Sequence, residues 1–540
     1  MTWRTEGNPK QMMEKRKEEI SSLRTQKRQE MLQRKREQIE LESPTIINNN
    51  NQNATGVNPN DDEIPLTLSK TIQNLDLYVQ KKHEFLKMIE MGFVSRNEEL
   101  YYQAIASINI FYINFTNAEL VFIKQLFPTI FSHVSELTKE PFISQIKNQD
   151  YRIFSIIADI IENLFQSRNE ELINELFSFS YQGMTIVDIT MILLGMNERI
   201  ISSTLLAIGH AVIYPKVITL YIQKGILQYI SQVISIYPKQ HEIISYCSYI
   251  YANICLKIKR LSPELVASFS LIPFFLKTEN IQDLIGMFSG LTELLPVSGY
   301  IEHLEILKID QFAITVCQRS MYKQLKEKAL AYLCSYVAHS NQQTSYLEIV
   351  EIVSLLLLTK LTLLEKKRCL LLLSNMLTYD SKLLQQKYIE KKLFEQCAYI
   401  VLNPEENEII RFEAGWVLIN GIIVCDDIHH FFTYPICSAF VKLMDFGHVN
   451  FIYKLVSSIA KIIDEAFQSY STEIIDCLLE NGLISNLNVI QNALFSANEQ
   501  KIQIVVDWII DKLSSYMNEN NDEIDDGYNG DDEDNFYNDM

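Results

Sequence analysis

A polar side chain recurs about every forty residues along the middle of this chain, each time within the same local pattern. A small or polar residue, a bulky residue and three further residues precede the polar one, and apolar residues follow it. We call these polar positions the anchors; successive anchors are separated by 47, 43, 39, 43, 40 and 45 residues. A repeat of this length predicts a core built between neighbouring units rather than around one centre. The anchors are Asn163, His210, Asn253, Thr292, Ser335, Asn375 and Asn420.

The period is typical of armadillo and HEAT arrays, in which two or three helices form one unit. Only 16 Gly and 13 Pro occur in 540 residues, which favours an almost wholly helical body. Further units are expected around Asn109 and Lys461. We therefore predict an all-α, armadillo-repeat, right-handed superhelical solenoid of about nine to ten repeats.

Composition divides the chain into four parts. Residues 1–42 are basic, and residues 43–70 form an Asn-rich segment that is typical of a flexible linker. Apolar residues then recur at three- and four-residue spacing over 71–517, which predicts the helical repeat domain. Residues 518–540 contain many Asp and Glu and no Lys or Arg, so we expect a disordered acidic tail.

The cysteines and the hydropathy predict an intracellular protein. Nine cysteines are scattered without a CxxC pair, which is typical of free core thiols in a reducing compartment. The first residues are charged and do not resemble a signal peptide. The richest apolar run, 352–364, is interrupted by Lys360 and is too short to span a bilayer.

The residue four positions before each anchor shares a helical face with it. Two of these pairs combine an aromatic ring with an amide: Tyr249 with Asn253, and Trp416 with Asn420. An Asn amide can donate to and accept from the backbone of an extended peptide. Neighbouring aromatic faces can hold Lys or Arg side chains through cation–π attraction of about 0.5–2 kcal/mol each.

Three segments resemble the importin-alpha family. The stretch EAGWVLIN (413–420) is similar to the Trp/Asn ladder of its inner helices, and LRTQKRQEMLQRKR (23–36) is similar to its importin-beta-binding segment. The stretch CLLENGLISNLNVIQNALFSANEQKIQIVVDWIIDK (477–512), followed by the acidic tail, resembles its last repeat. The resemblance implies a groove that holds nuclear-localisation signals and a C-terminal repeat that contacts an export receptor.

The resemblance also implies which residues contact a cargo peptide. They are Trp416, Asn420, Glu413, Tyr249, Asn253, Asn375 and Asn163. A structural alternative stays open, because a Trp on such a helix is often core and an Asn is often a cap. The other paired positions depart from the Trp/Asn pattern. Arg368, beside Lys367, occupies the position equivalent to Glu413, so we expect it to repel a Lys-rich peptide.

The N-terminal arm, 15–36, holds nine Lys or Arg and three Glu in a chain whose net charge is −19. The resemblance implies that it binds an acidic surface of importin-beta, whereas a solvated charged helix and a nucleic-acid site are the alternatives. Its last three cations resemble a short localisation signal, which suggests the hypothesis that the arm occupies the chain's own groove. The predicted importin-beta-binding residues are Lys15, Arg16, Lys17, Arg24, Lys27, Arg28, Arg34, Lys35 and Arg36.

These patterns together predict a nuclear-import adaptor that shuttles between cytoplasm and nucleus and links basic cargo to importin-beta. The alternative is an armadillo scaffold or transport regulator that binds importin-beta without basic cargo. No catalytic motif is present, so we expect neither enzymatic activity nor a cofactor, and no direct contact with nucleic acid or membrane. His429 and His430, behind Asp426 and Asp427, are the nearest approach to a metal cluster, and we expect them in a loop instead.

Overall fold

The structure is a computed structural model whose described residues form two compact units. It describes Met91 and residues 152–166, 170–181, 183–340, 345–379, 381–445, 449–493 and 500–525. The division falls between Lys308 and Ile309, inside the predicted repeat domain 71–517. The predicted basic arm and the linker lie outside the described residues.

Over its described residues, the first unit is helical apart from one short hairpin. Strands β1 (Ser180–Tyr181) and β2 (Met184–Thr185) pair antiparallel, with Tyr181 opposite Met184. Helix α3 begins directly after the hairpin, because Thr185 and Asp188 form a capping box around its first turn. The helices are α1 Arg152–Gln166, α2 Glu170–Ser178, α3 Ile186–Leu193, α4 Glu198–Ala211, α5 Pro215–Gln223, α6 Ile226–Ile236, α7 His241–Lys257, α8 Pro263–Ala267, α9 Ile272–Phe275, α10 Ile281–Leu294 and α11 Ile301–Ile306.

The second unit is helical throughout its described residues. Short 3₁₀ turns at His429–Phe431 and Leu443–Asp445 join some of its helices. The helices are α12 Ile309–Arg319, α13 Lys323–His339, α14 Tyr346–Leu357, α15 Leu363–Met376, α16 Lys382–Glu390, α17 Leu393–Leu402, α18 Glu408–Val424, α19 Tyr434–Lys442, α20 Val449–Gln468, α21 Thr472–Glu480, α22 Leu483–Ala493 and α23 Gln500–Asp525.

The last helix, α23, continues to Asp525, beyond residue 517, which composition predicts as the end of the repeat domain. Backbone hydrogen bonds propagate a helix one residue at a time once it has formed, so polar residues can extend it beyond its apolar part. Residues 526–540 lie outside the described residues.

The anchors lie on helices that pack against one another in sequence order, as the period predicts. In the first unit α1, α4, α7 and α10 carry Asn163, His210, Asn253 and Thr292, and each helix packs against the next. In the second unit α13, α15 and α18 carry Ser335, Asn375 and Asn420, and α18 packs on α20. We call these eight helices the anchor helices. The all-α prediction is confirmed.

Each unit builds its core along its anchor helices. In the first unit Leu205, Tyr251 and Phe288 on successive anchor helices are fully buried. In the second unit Leu333 and Leu373 are equally enclosed. Burying such a side chain stabilises a protein by about 1.5–3 kcal/mol relative to its exposed state. Short helices are only marginally stable alone, so most of their stability comes from packing against neighbouring helices.

Candidate functional site

Tyr249 and Asn253 project from α7 beside α4. Both side chains are half-buried, and the Asn253 amide nitrogen donates to the carbonyl oxygen of Gly209 at 3.4 Å. The Tyr249 ring lies against the same residue, since a Cβ atom on Gly209 would come within 2.5 Å of the ring. The absence of a side chain at Gly209 therefore makes room for the Tyr249 ring. The His210 ring meets the Tyr249 ring edge-on at a centroid distance of 6.1 Å.

Carboxylates accumulate on the anchor helices of the first unit. Asp159 on α1 accepts from Ser203 at 3.1 Å, and Glu162 lies one turn further along the same helix. Glu242, in the first turn of α7, accepts from the hydroxyl of Tyr246 at 2.8 Å. Carboxylates that lie close together on one helix, or on helices that pack against each other, add to the same negative electrostatic potential.

Asp283 opens α10, the next anchor helix, with a further buried carboxylate. It is only 7% exposed and accepts from Ser245 of α7 at 2.8 Å through one oxygen. We define the acidic group as Asp159, Glu162, Glu242 and Asp283. None of these residues was among those predicted to contact a peptide, although acidic side chains that recur on the anchor helices were a signal that could have indicated them.

Burial raises the pKa of three members of the acidic group. Partial burial and the charges of Asp159 and Glu242, against an opposing hydrogen bond with Ser203, together raise the pKa of Glu162 to about 7. Burial likewise raises the pKa of Asp159 and of Asp283. A cation placed beside the group would relieve this repulsion and favour ionisation, so the group is suited to a positively charged ligand.

We expect the stability of the first unit to fall less with rising pH in the Glu162→Gln variant than in the wild type. The Glu162 pKa is about 7 in the folded chain against an ordinary value of 4.5. The stability from this group is therefore complete below about pH 4.5 and is lost as the pH rises through about 7. The variant should match the wild type at pH 4 and exceed it at pH 8 in urea denaturation. Glu302→Gln, on an exposed site in α11, is the control, and an unchanged pH dependence in Glu162→Gln would contradict the expectation.

Trp416 and Asn420 lie on α18 of the second unit in different environments. Trp416 is half-buried and meets Phe412 and Phe451 edge-on, at centroid distances of 6.1 and 5.2 Å. Asn420 is buried, and its amide nitrogen donates to the carbonyl oxygen of Ser374 at 3.1 Å and to the Ser374 hydroxyl at 2.9 Å. The Asn420 amide thus joins α18 to α15.

Other predicted contact residues also lie inside the second unit. Glu413 is 6% exposed and Asn375 is 7% exposed. Close helix packing therefore buries both side chains, although the sequence predicted that they contact a cargo peptide at the surface. Arg368 is half-buried, and its guanidinium donates to the carbonyl oxygen of Glu327 at 2.7 Å. Asn163 lies in α1, but its side chain is outside what the structure describes.

Comparison with known proteins supports the fold alone. No family model matches the chain, and no curated protein matches it. Among solved structures, the crystal structure of an engineered protein is similar, with a TM-score of 0.59 and 13% sequence identity. The match covers 80% of this chain and 98% of the engineered one. The helical arrangement thus has a structural counterpart despite very low sequence identity.

The nine cysteines are all free and buried, as predicted for core thiols. Burial raises the pKa of the Cys425 thiol to about 11, which keeps it protonated at neutral pH. His429 and His430 form a 3₁₀ turn between α18 and α19, which agrees with the predicted loop. Within the described ranges, no three His, Cys, Asp or Glu side chains are arranged to hold a metal ion. Among the helices that the structure describes, none has both the length and the apolar character to cross a bilayer.

Proposed function

We propose that this chain is a peptide-binding adaptor of nuclear import, an armadillo-repeat protein of the importin-alpha type. It would hold the localisation signal of a basic cargo protein on its anchor helices and engage importin-beta through residues 15–36. The observation that supports this most is the acidic group, because one of its members, Glu242, lies on α7 together with Tyr249 and Asn253. The C-terminal repeat would contact the export receptor that returns the adaptor to the cytoplasm.

The first unit offers each interaction that an extended basic peptide needs. The half-buried Asn253 amide can exchange hydrogen bonds with the peptide backbone, and the Tyr249 face can pack on a Lys stem. Glu162 and Glu242 supply negative charge for the ammonium group. Since part of the Glu162 carboxyl is protonated at neutral pH, peptide binding would release a proton and would strengthen from pH 6 to pH 8.

We expect neutralisation of the acidic group to weaken binding of a Lys-rich peptide roughly tenfold, since each lost charge contact contributes about 0.2–1 kcal/mol. The test is fluorescence anisotropy of a labelled Lys-rich peptide with the full chain and with Glu162→Gln/Glu242→Gln. Glu264→Gln/Glu302→Gln, two exposed positions in the same unit, is the control with the same charge change. Equal affinities for the two double variants would contradict the proposed binding surface.

A second candidate is a transport regulator or scaffold that binds importin-beta without basic cargo. Burial of Asn375, Glu413 and Asn420 favours it, because these side chains are engaged within the second unit. Two measurements together separate the two functions: the titration with the Lys-rich peptide and a pull-down of importin-beta. A full chain that captures importin-beta but does not bind the Lys-rich peptide is the regulator, and one that binds both is the adaptor.

A further inference from the structure

The second unit exposes a basic and apolar surface where α13 and α15 begin. Met321 and Tyr322, just before α13, are 90% and 58% exposed, and Leu358, just before α15, is 72% exposed. Two exposed lysines lie beside these residues: Lys323 is the first residue of α13, and Lys360 lies in the segment just before α15. Large apolar side chains this exposed, when they are grouped together, are typical of an interaction site.

Hydrogen bonds place the beginnings of the two helices side by side. The Thr362 hydroxyl, at the N-cap of α15, donates to the Glu327 carboxylate of α13 at 3.2 Å. The Arg368 guanidinium reaches the backbone of the same residue at 2.7 Å. Lys323 lies one turn before Glu327, and Lys360 lies two residues before Thr362, so both cations flank one surface.

The apolar part of the surface extends toward α18. Leu363 at the first position of α15 and Ile409 near the start of α18 are 52% and 48% exposed. An ion pair between Lys366 and Glu406 joins the beginnings of these two helices. Tyr322, Leu363 and Ile409 therefore occur at the same end of three successive anchor helices.

The charge of this surface is opposite to that at the starts of α4, α7 and α10 in the first unit. Glu198, Glu242 and Asp283 stand in the first turns of α4, α7 and α10. Helix α13 has no acidic residue in its first turn and no side-chain cap at Tyr322, so its N-terminal partial positive charge adds to that of the lysines. In α15 the acidic residue of the first turn, Glu365, is buried in a capping box with Thr362, and Lys366, Lys367 and Arg368 follow it.

We propose that this surface binds an acidic peptide segment that carries apolar side chains and belongs to a partner protein. We define the basic docking surface as Met321, Tyr322, Lys323, Leu358, Lys360, Leu363 and Lys367. Carboxylates of the partner would pair with the three lysines, and its Leu or Phe side chains would cover the exposed apolar residues. The site selects the charge opposite to that selected by the proposed basic-cargo surface.

An acidic peptide fits the surface better than a nucleic acid does. The exposed row is mainly aliphatic, with Tyr322 as the single aromatic ring among its defined residues, whereas single-stranded nucleic acid is usually held on several aromatic faces. The chain as a whole carries a net charge of −19, which opposes a polyanion as long as a nucleic acid. A short acidic segment experiences mainly the lysines that it contacts, because salt screens charges more than about 10 Å away.

The test compares two charge-reversed variants of the full chain. Lys323→Glu/Lys360→Glu/Lys367→Glu alters the docking surface, and Lys216→Glu/Lys239→Glu/Lys277→Glu makes the same charge change at exposed sites of the first unit. The probe is a fluorescein-labelled peptide of repeating Asp-Glu-Leu-Phe units. We expect the first variant to bind at least about tenfold more weakly than the wild type, and the second to bind within about twofold.

Further probes distinguish the occupants of the surface. A peptide of Asp-Glu-Ser-Ser units should bind at least about fivefold more weakly than the apolar probe, since the Leu and Phe contacts are lost. Absence of binding to the wild type, or equal loss in both charge-reversed variants, would overturn the proposal. Tighter binding of a labelled oligonucleotide than of the acidic peptide would overturn it in favour of a nucleic-acid surface.

The chain's own acidic C-terminal residues are the remaining alternative occupant. A full-length variant with Asp531, Asp532, Glu533 and Asp534 changed to Asn or Gln removes four of their charges. We expect this variant to bind the acidic probe within about twofold of the wild type. An affinity at least about tenfold higher would show that these residues cover the surface, and would overturn the proposal of a separate partner protein.

Discussion

We expect Gly290→Val to destabilise the first unit by about 3 kcal/mol. Gly290 lies in α10 where it packs on α7, and a Cβ atom there would lie 2.6 Å from the carbonyl oxygen of Ala252 and 3.0 Å from Cys255. The carbonyl belongs to the backbone of α7 and cannot rotate away, so the two helices would have to separate. Because α7 also carries Tyr249 and Asn253, binding of the Lys-rich peptide should weaken together with stability. Urea denaturation measures the change.

Gly286→Ala is the matched control for this variant. Gly286 lies one turn earlier in α10, and a Cβ atom there would be 3.6 Å from Ala252, an ordinary van der Waals distance. Ala is a better helix former than Gly by about 0.8–1.0 kcal/mol, so this change should preserve or increase stability. Equal losses in both variants would refute close helix packing at Gly290 as the cause.

We expect Phe394→Ala to destabilise the second unit by about 3–5 kcal/mol. Phe394 is 1% exposed in α17, and its ring centroid lies 4.4 Å from that of Phe431 and 5.7 Å from that of Tyr388. Gly421 of α18 approaches the same ring so closely that a Cβ atom there would be 2.5 Å away. Truncation would therefore leave a cavity between helices that cannot easily collapse.

Tyr399→Ala serves as the control on the same helix. The Tyr399 side chain is 62% exposed, so its removal should change the free energy of unfolding by no more than about 0.5 kcal/mol. Both variants are measured by urea denaturation under one set of conditions. A loss for Tyr399→Ala as large as that for Phe394→Ala would show that the cavity is not the cause.

Much of the helical framework could be predicted from the sequence. The anchors from Asn163 to Asn420 lie on helices that pack in sequence order within each unit, because a helix must bury its apolar stripe against the next one. Burial of the nine cysteines followed from their apolar flanks. Two local features were not predicted from the sequence: the hairpin at 180–185 interrupts the helices, and α23 continues to Asp525.

The candidate site depended on contacts that a single helix does not reveal. Sequence spacing put Trp416 and Asn420 on one face, yet Trp416 is half-buried whereas the Asn420 amide is engaged with Ser374 of α15. Arg368 was predicted to repel a Lys-rich peptide, and the structure adds that its guanidinium donates to the backbone of Glu327. The partners in both cases lie about one repeat away in the chain.

Helical periodicity and unit spacing are local properties, so the amino-acid sequence was enough to predict helices that recur about every forty residues. Which polar side chains remain accessible depends instead on tertiary contacts. Asp159, Glu162 and Glu242 come together on α1 and α7, whereas Glu413 becomes buried in α18. Burial depends on how closely the neighbouring helices pack, and that packing depends on residues roughly forty positions away, such as Gly209 beneath Tyr249.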